Sequence, residues 1–261
     1  MYHFKTKRYL FSKGLDEYFT GIHKAYQFTA LFFKEVFKRP FHLREVISQC
    51  FEVGLKSLSL ITLTGFIVGI VFTKQSRPSL EDFGATSWLP SLIGIAIVRA
   101  LGPLVTGLIC AGKVGSSIGA ELGSMKVTEQ IDAMEVSSTN PMRFLVVTRV
   151  LAATLMVPLL VIYADALGIL GSWVGANIKG DVTFVLFFTQ AFGHIQFIDF
   201  IPAVIKSFFF GAVVGLVGCY KGYTAGRGTE SVGIAANSAV VLASLLVIIV
   251  DLIAVQITDM L

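Results

Sequence analysis

Charged residues are scarce in this chain of 261 residues: Asp, Glu, Lys and Arg together make up only 15% of it, against about 25% in an average soluble domain. Apolar residues make up 54%, Phe alone occurs 22 times, and the mean hydropathy is +0.76. A soluble domain of this size needs more polar residues to cover its surface. The composition therefore excludes an ordinary soluble domain and predicts an integral membrane protein.

The sequence also lacks the usual signatures of a metal or nucleotide site. It has only three cysteines, and neither a CxxC pair nor an HExxH motif occurs. The stretch GLICAGKV, Gly107 to Val114, nearly fits the P-loop pattern, but Val114 stands where the pattern needs a hydroxyl for magnesium. We therefore expect no catalytic residue, metal or cofactor in this chain, and any ATP to be hydrolysed by a partner chain.

Apolar runs that are long enough to cross a bilayer as a helix, about 20 residues each, occur five times. We predict these crossings at 53–73, 88–111, 144–169, 200–220 and 236–257. Basic residues concentrate before the first run and after the second and fourth, which places the amino end in the cytoplasm and the carboxyl end outside. The stretch 182–198 could form a sixth crossing, but it is short and contains Gln190, His194 and Gln196. We favour a periplasmic or re-entrant helix there.

The first fifty residues are basic and carry aromatic side chains at helical spacing. Up to Lys56 there are ten Lys or Arg against five acids. The apolar stripe consists of Leu15, Tyr18, Phe19, Ile22, Tyr26, Thr29, Phe33 and Phe37. It predicts an amphipathic helix in the membrane interface, with a helix packed on a partner as the alternative. No cleavable signal peptide is expected, because the first apolar run begins only after this region.

Glycines four residues apart recur in the apolar runs. They occur in GFIVG from Gly65, GSWVG from Gly171 and GAVVG from Gly211, and in the series Gly115, Gly119 and Gly123. Such spacing lets helix backbones approach closely in lipid. It predicts tight packing, either within the chain or between two copies.

The loop between the second and third runs contains MKVTEQIDAMEV, Met125 to Val136, four of whose residues are charged. We predict one helix over 121–138, ended by Asn140-Pro141 because proline disfavours helix at the residue before it. Leu122, Met125, Ile131 and Met134 would form an apolar stripe that a second protein could bind. A solvated helix without a partner is the alternative.

The run AELGSMKVTEQIDAMEVSSTNPMRFLVVTRVLA, Ala120 to Ala152, closely resembles the diagnostic region of the MlaE family. That family consists of permease subunits of ABC transporters that move phospholipid or related lipids between bacterial envelope membranes. The stretches IKSFFFGAVVGLVGCYKGY and VGIAANSAVVLASLLVIIVDLIAVQ agree with it. The resemblance covers about residue 50 to the carboxyl end, so we divide the chain into an interfacial region, 1–50, and a permease domain, 51–261.

The resemblance implies a homodimer in the bacterial inner membrane, with phospholipid held in a cavity between the protomers. It also implies two cytoplasmic ATPase subunits that bind ATP and magnesium, an MCE-domain lipid-binding protein outside, and no nucleic acid. The 121–138 segment would be the coupling helix that the ATPase grips. Its expected contact residues are Glu121, Met125, Lys126, Thr128, Glu129, Asp132 and Glu135.

Arg99 is the best candidate for a contact with the lipid headgroup. It lies eleven residues beyond Trp88, so about 16 Å into the membrane at 1.5 Å per residue, where a charged side chain usually marks function. The family usually has an acid after this arginine, and here Ala100 replaces it. The family cavity points further to Phe72, Leu80 and Phe83.

Three more charged residues, Asp165, Lys206 and Asp251, lie in three different runs and, given the predicted directions, in the outer half of the bilayer. We predict that Lys206 pairs with one of the two carboxylates, because an unpaired buried charge is costly. Two other function classes remain. An ion-coupled secondary transporter would use these three residues as a relay, and a membrane scaffold would need none of them.

Overall fold

The computed structural model describes residues 2–38, 42–178 and 182–260, and these are helical apart from short connections. Within these ranges, side chains are described from Phe19 onward, except that of residue 259. The helices are α1 Tyr2–Val36, α2 Leu43–Val53, α3 Leu55–Asp82, α4 Leu89–Ala96, α5 Gly102–Cys110, α6 Ser116–Val127, α7 Gln130–Val136, α8 Thr148–Asn177, α9 Phe184–Gly193, α10 Phe197–Tyr223 and α11 Thr229–Asp259. The predicted all-α class is confirmed.

Within the described residues, five helical segments are long and apolar enough to cross a membrane, as predicted. We call them span one to span five: Leu43–Asp82, Thr86–Val127, Met142–Asn177, Phe197–Tyr223 and Thr229–Thr258. Single π-helical turns interrupt span two at Ile97–Leu101 and Ala111–Gly115, and another opens span three at Met142–Val147. The P-loop-like stretch is therefore helical and forms no phosphate loop.

Span three is the most deeply buried of the five and packs against both span one and span four. The glycine motifs make these contacts possible. A Cβ atom added at Gly69 would overlap the Gly168 carbonyl, one at Gly171 the Phe66 carbonyl, and one at Gly211 the carbonyl of Ala153. The motifs therefore serve helix packing within this chain.

We expect Gly69→Ala to lower the free energy of unfolding by about 1–3 kcal/mol, the usual effect of forcing an extra carbon into a packed contact. Gly233→Ala is the matched control: this glycine lies in α11, and a Cβ there meets nothing within 4 Å. The control should be neutral or slightly stabilising, because alanine favours helix. Thermal unfolding in detergent measures both, and equal losses would contradict the packing role of Gly69.

The stretch 182–198 does not form a sixth crossing. It contains α9, a helix of only ten residues, which packs on α4 near the start of span two. About 20 helical residues are needed to cross, so the preference for a short non-crossing helix is confirmed. The Ser91 hydroxyl and His194 Nδ1 share a hydrogen bond of 3.0 Å, which joins the end of α9 to α4.

Helix α1 packs on the body of the chain through the face opposite to the predicted stripe. Phe28 lies against the rings of Tyr220 and Tyr223, and the carboxylate of Glu35 accepts a hydrogen bond from Arg143 at 2.7 Å. Lys38 and Arg143 lower the pKa of Glu35 by donating to its carboxylate. The stripe residues Phe19, Ile22, Tyr26, Phe33 and Phe37 are exposed, whereas the side chains of Leu15 and Tyr18 lie outside the described part. An amphipathic helix is thus present, and its location in the membrane interface stays a prediction.

Candidate functional site

The segment between spans two and three is not one helix over 121–138, as predicted, but two. Helix α6 continues span two as far as Val127, and α7 begins at Gln130 after a sharp turn. Glu129 makes this turn with a left-handed backbone, φ 58°, and Ser138 ends the segment in the same conformation, φ 62°. This conformation is uncommon for residues other than glycine. Helix α7 is therefore a separate short element, held at an angle to span two.

The apolar stripe is not available to a second protein, contrary to our prediction. Leu122 and Ile131 are completely buried in the main core, and Met125 and Met134 are half-buried against it. Helix α6 packs against α10 and α11, which belong to spans four and five, so the stripe fastens α6 and α7 to their own chain. Any partner must instead bind the opposite, outward face of α7.

That outward face is polar and acidic. The exposed residues are Thr128, Glu129, Gln130, Asp132, Ala133, Glu135 and Val136. Lys126 is half-buried and donates a hydrogen bond to Asp132 at 2.7 Å, and the Tyr223 hydroxyl donates to Glu135 at 3.4 Å. Five of the seven predicted coupling residues, Lys126, Thr128, Glu129, Asp132 and Glu135, thus lie on or beside this face, whereas Met125 packs inward.

Glu121, the remaining predicted coupling residue, is paired with its own chain, and its contact with an ATPase stays a prediction. Its carboxylate accepts hydrogen bonds from Nη2 of Arg149 at 2.6 Å and from Nε at 3.3 Å. Only 2% of the Arg149 side chain is exposed, against 43% of Glu121. Because Glu121 lies in α6 and Arg149 in α8, the pair fastens the end of span two to span three. Arg149 is not among the predicted site residues, although a lone arginine in an apolar run is a signal that could have identified it.

The buried charges near the other end of the spans form a second site, which we call the Lys206 cluster: Lys206, Asp251 and the carbonyl of Arg99. Lys206 Nζ donates to Asp251 at 2.8 Å and to the Arg99 carbonyl at 2.9 Å. The predicted pairing with Asp251 is confirmed. Arg99 lies in the first π-helical turn of span two, so the ammonium ties this turn to spans four and five.

Asp165 does not join the pair. It is buried, and its Oδ1 has no hydrogen-bond partner within the described ranges. The same oxygen lies against Gly102, where an added Cβ would overlap it. Asp165 also borders a mostly apolar cavity of about 330 Å³, lined by residues that include Val98, Ile169 and Phe200. The three predicted charges are thus a pair and a separate carboxylate.

The predicted lipid contacts lie in different places in the described part of the chain. Arg99 borders a narrow gap of about 10 Å³ beside Lys206 and Thr258, which has room for about one water molecule. Phe72 and Leu80 pack against the cluster formed by α4, α8 and α9, and Phe83 is 85% exposed. A contact between these four residues and a lipid stays a prediction, one that requires space outside this chain or a rearrangement within it.

Known proteins resemble this chain over all five spans. The family described as Permease MlaE matches residues 46–257. A probable ABC transporter permease protein of Rickettsia prowazekii is 37% identical over 229 residues, which are 88% of each chain. Another from Synechocystis is 31% identical over 236 residues, 90% of each. The chloroplastic protein TRIGALACTOSYLDIACYLGLYCEROL 1 of Arabidopsis thaliana is 31% identical over 216 residues, which cover 83% of this chain and 62% of its own length.

Proposed function

The chain belongs to the MlaE permease family and is a multi-pass membrane permease; from this premise we propose that it is the membrane subunit of an ATP-driven transporter that moves phospholipid between envelope membranes. ATP and magnesium would bind two partner ATPase subunits. Two copies of the chain would enclose the lipid, and an MCE-domain protein would receive or deliver it outside the inner membrane. The name of the Arabidopsis relative is that of a galactolipid, which supports a lipid as the transported class.

The observation that carries this proposal is the acidic helix α7 at the predicted cytoplasmic end of span two. Its inner face is fixed to the core by Ile131, and its outer face carries Glu129, Asp132 and Glu135. A partner that pushes on α7 would therefore move α6 and span two with it. Span two also contains Arg99, so motion of the ATPase subunits would reach the predicted headgroup contact.

We expect the double variant Glu129→Lys/Asp132→Lys to abolish lipid-dependent stimulation of the ATPase while the permease dimer still assembles. Lysines on the outer face of α7 would repel a basic docking surface on the partner. Lysine, like the Glu129 that it replaces, is not a glycine, so the substitution does not change the type of residue in the left-handed turn. The measurement is ATP hydrolysis and lipid transfer by the whole complex in liposomes.

Asp82→Lys is the control and should leave coupling unchanged. Asp82 is also an exposed acid, but it lies at the end of span one that is predicted to be far from the cytoplasm. Normal coupling in the double variant would refute docking through α7.

The ion-coupled alternative is less favoured because Lys206 and Asp251 neutralise each other. It predicts transport under an ion gradient without any ATPase, so copurification of a nucleotide-binding partner separates the two.

A further inference from the structure

A small polar cavity lies between spans one and two, on the predicted cytoplasmic side of Arg99. Its volume is about 70 Å³, and its lining includes Gln49, Glu52, Lys56, Ser57 and Lys113. Spans one and two are predicted to meet the cytoplasmic bilayer boundary near residues 53 and 111, so we expect the cavity at the depth of the lipid phosphates. Lys113 is the lysine of the P-loop-like stretch.

Two of the lining groups lack partners of their own. The Ser57 side chain is 1% exposed, and its hydroxyl has no hydrogen-bond partner in the part of the chain that the structure describes. Lys113 is half-buried, and its ammonium makes no ion pair or hydrogen bond with any residue of 2–38, 42–178 or 182–260. A buried hydroxyl without a partner is costly, so both groups point to a ligand that accepts hydrogen bonds.

The charge of the lining fits an anion. Lys56 and Lys113 contribute two positive charges and Glu52 one negative charge, so the net charge is +1. The carboxylate of Glu52 is already paired with Lys56 at 2.6 Å, which leaves Lys113 available. A phosphate group offers several acceptor oxygens to an ammonium and a hydroxyl together.

We propose that this cavity, which we call the Lys113 pocket, binds the phosphate group of a phospholipid at the cytoplasmic leaflet. Fourteen residues separate Lys113 from Arg99 along span two, or about 20 Å of helix. On the proposed transport function, on which this inference rests, the two cations would be successive positions for the same headgroup. The lipid would leave one leaflet boundary at Lys113 and reach the dimer cavity at Arg99.

Binding to the full-length chain in detergent, followed by native mass spectrometry, tests the pocket directly. Lys113→Gln should weaken binding of phosphatidylglycerol about tenfold, the effect of losing one charge-assisted hydrogen bond. Ser57→Ala should weaken it about threefold, because its hydroxyl is neutral. Lys221→Gln is the matched control: this lysine is also half-buried at the predicted cytoplasmic end of a span, but it lies over the Tyr220 ring and outside the pocket.

Two further ligands identify the chemistry that is recognised. Diacylglycerol, which has no phosphate, should bind equally to wild type and Lys113→Gln. Competition by inorganic phosphate would support a phosphate site that also accepts the free ion, and its absence would support a site for the lipid alone. Equal losses in Lys113→Gln and Lys221→Gln, or diacylglycerol binding as tightly as phosphatidylglycerol, would overturn the proposal. If the complex transports lipid while the pocket binds none, this inference fails and the proposed function stands.

Discussion

Glu121→Leu is expected to destabilise the folded chain more than the removal of its partner, Arg149→Met. The Arg149 side chain is 2% exposed, so the loss of Glu121 leaves a buried positive charge unpaired. Breaking a buried pair in this way costs about 3–5 kcal/mol. In Arg149→Met the remaining carboxylate is 43% exposed and can be hydrated, so a smaller loss follows. Thermal unfolding in detergent measures the stability of both variants, through the melting temperature and the fraction of dimer that remains.

The double variant Glu121→Leu/Arg149→Met completes the cycle and should be more stable than Glu121→Leu alone, because it leaves no charge unpaired. Lys126→Met provides a comparison, since its pair with Asp132 is largely solvent-exposed and such pairs contribute no more than about 1 kcal/mol. If Arg149→Met proved the more damaging of the two single changes, the difference in exposure would not control the energy of this pair.

Lys206→Met is expected to cost about 3–5 kcal/mol as well, because it leaves both the Asp251 carboxylate and the Arg99 carbonyl without their buried donor. The side chains of Lys206 and Asp251 are 5% and 15% exposed, so water replaces little of the loss. The π-helical turn around Arg99 should also loosen. Lipid transfer by the whole complex is therefore expected to fall together with stability.

The double variant Lys206→Met/Asp251→Leu distinguishes a structural role of the Lys206 cluster from an ion relay. A structural clamp predicts that this double variant regains much of the stability, since no unpaired charge remains. An ion relay predicts that transport stays absent even when the fold is restored. Full transport by the destabilised single variant Lys206→Met would contradict both roles and leave the Lys206 cluster without a function in transport.

The five crossings could be predicted from the sequence because the thickness of the bilayer sets the length of an apolar run that can cross it as a helix. This length does not depend on what packs against the helix. The Lys206–Asp251 pair could be predicted for a related reason. Counting residues from the ends of two spans gives depths, and buried opposite charges at similar depths tend to pair. The shortness of α9 likewise followed from a local count of polar residues.

Contacts between distant helix faces could not be predicted in this way. Nothing in MKVTEQIDAMEV signals the turn at Glu129, because it contains neither glycine nor proline. The amphipathic pattern of 121–138 predicted that Leu122 and Ile131 would share a partner, but not that the partner would be their own chain. An apolar stripe specifies only that it must be buried, and which surface covers it depends on how the spans cross.

The same limit applies to the pair of Glu121 and Arg149, which was not predicted from the sequence. Glu121 and Arg149 are 28 residues apart and meet where spans two and three both pack on span four. Gly211 and Gly215 of span four lie against span three, and Gly218 and Gly222 lie against span two. Local sequence fixed the length and polarity of each helix through hydrophobic transfer and helix geometry. The directions in which the faces point, and hence which charges are paired and which remain available to ligands, arise from the packing of all five spans.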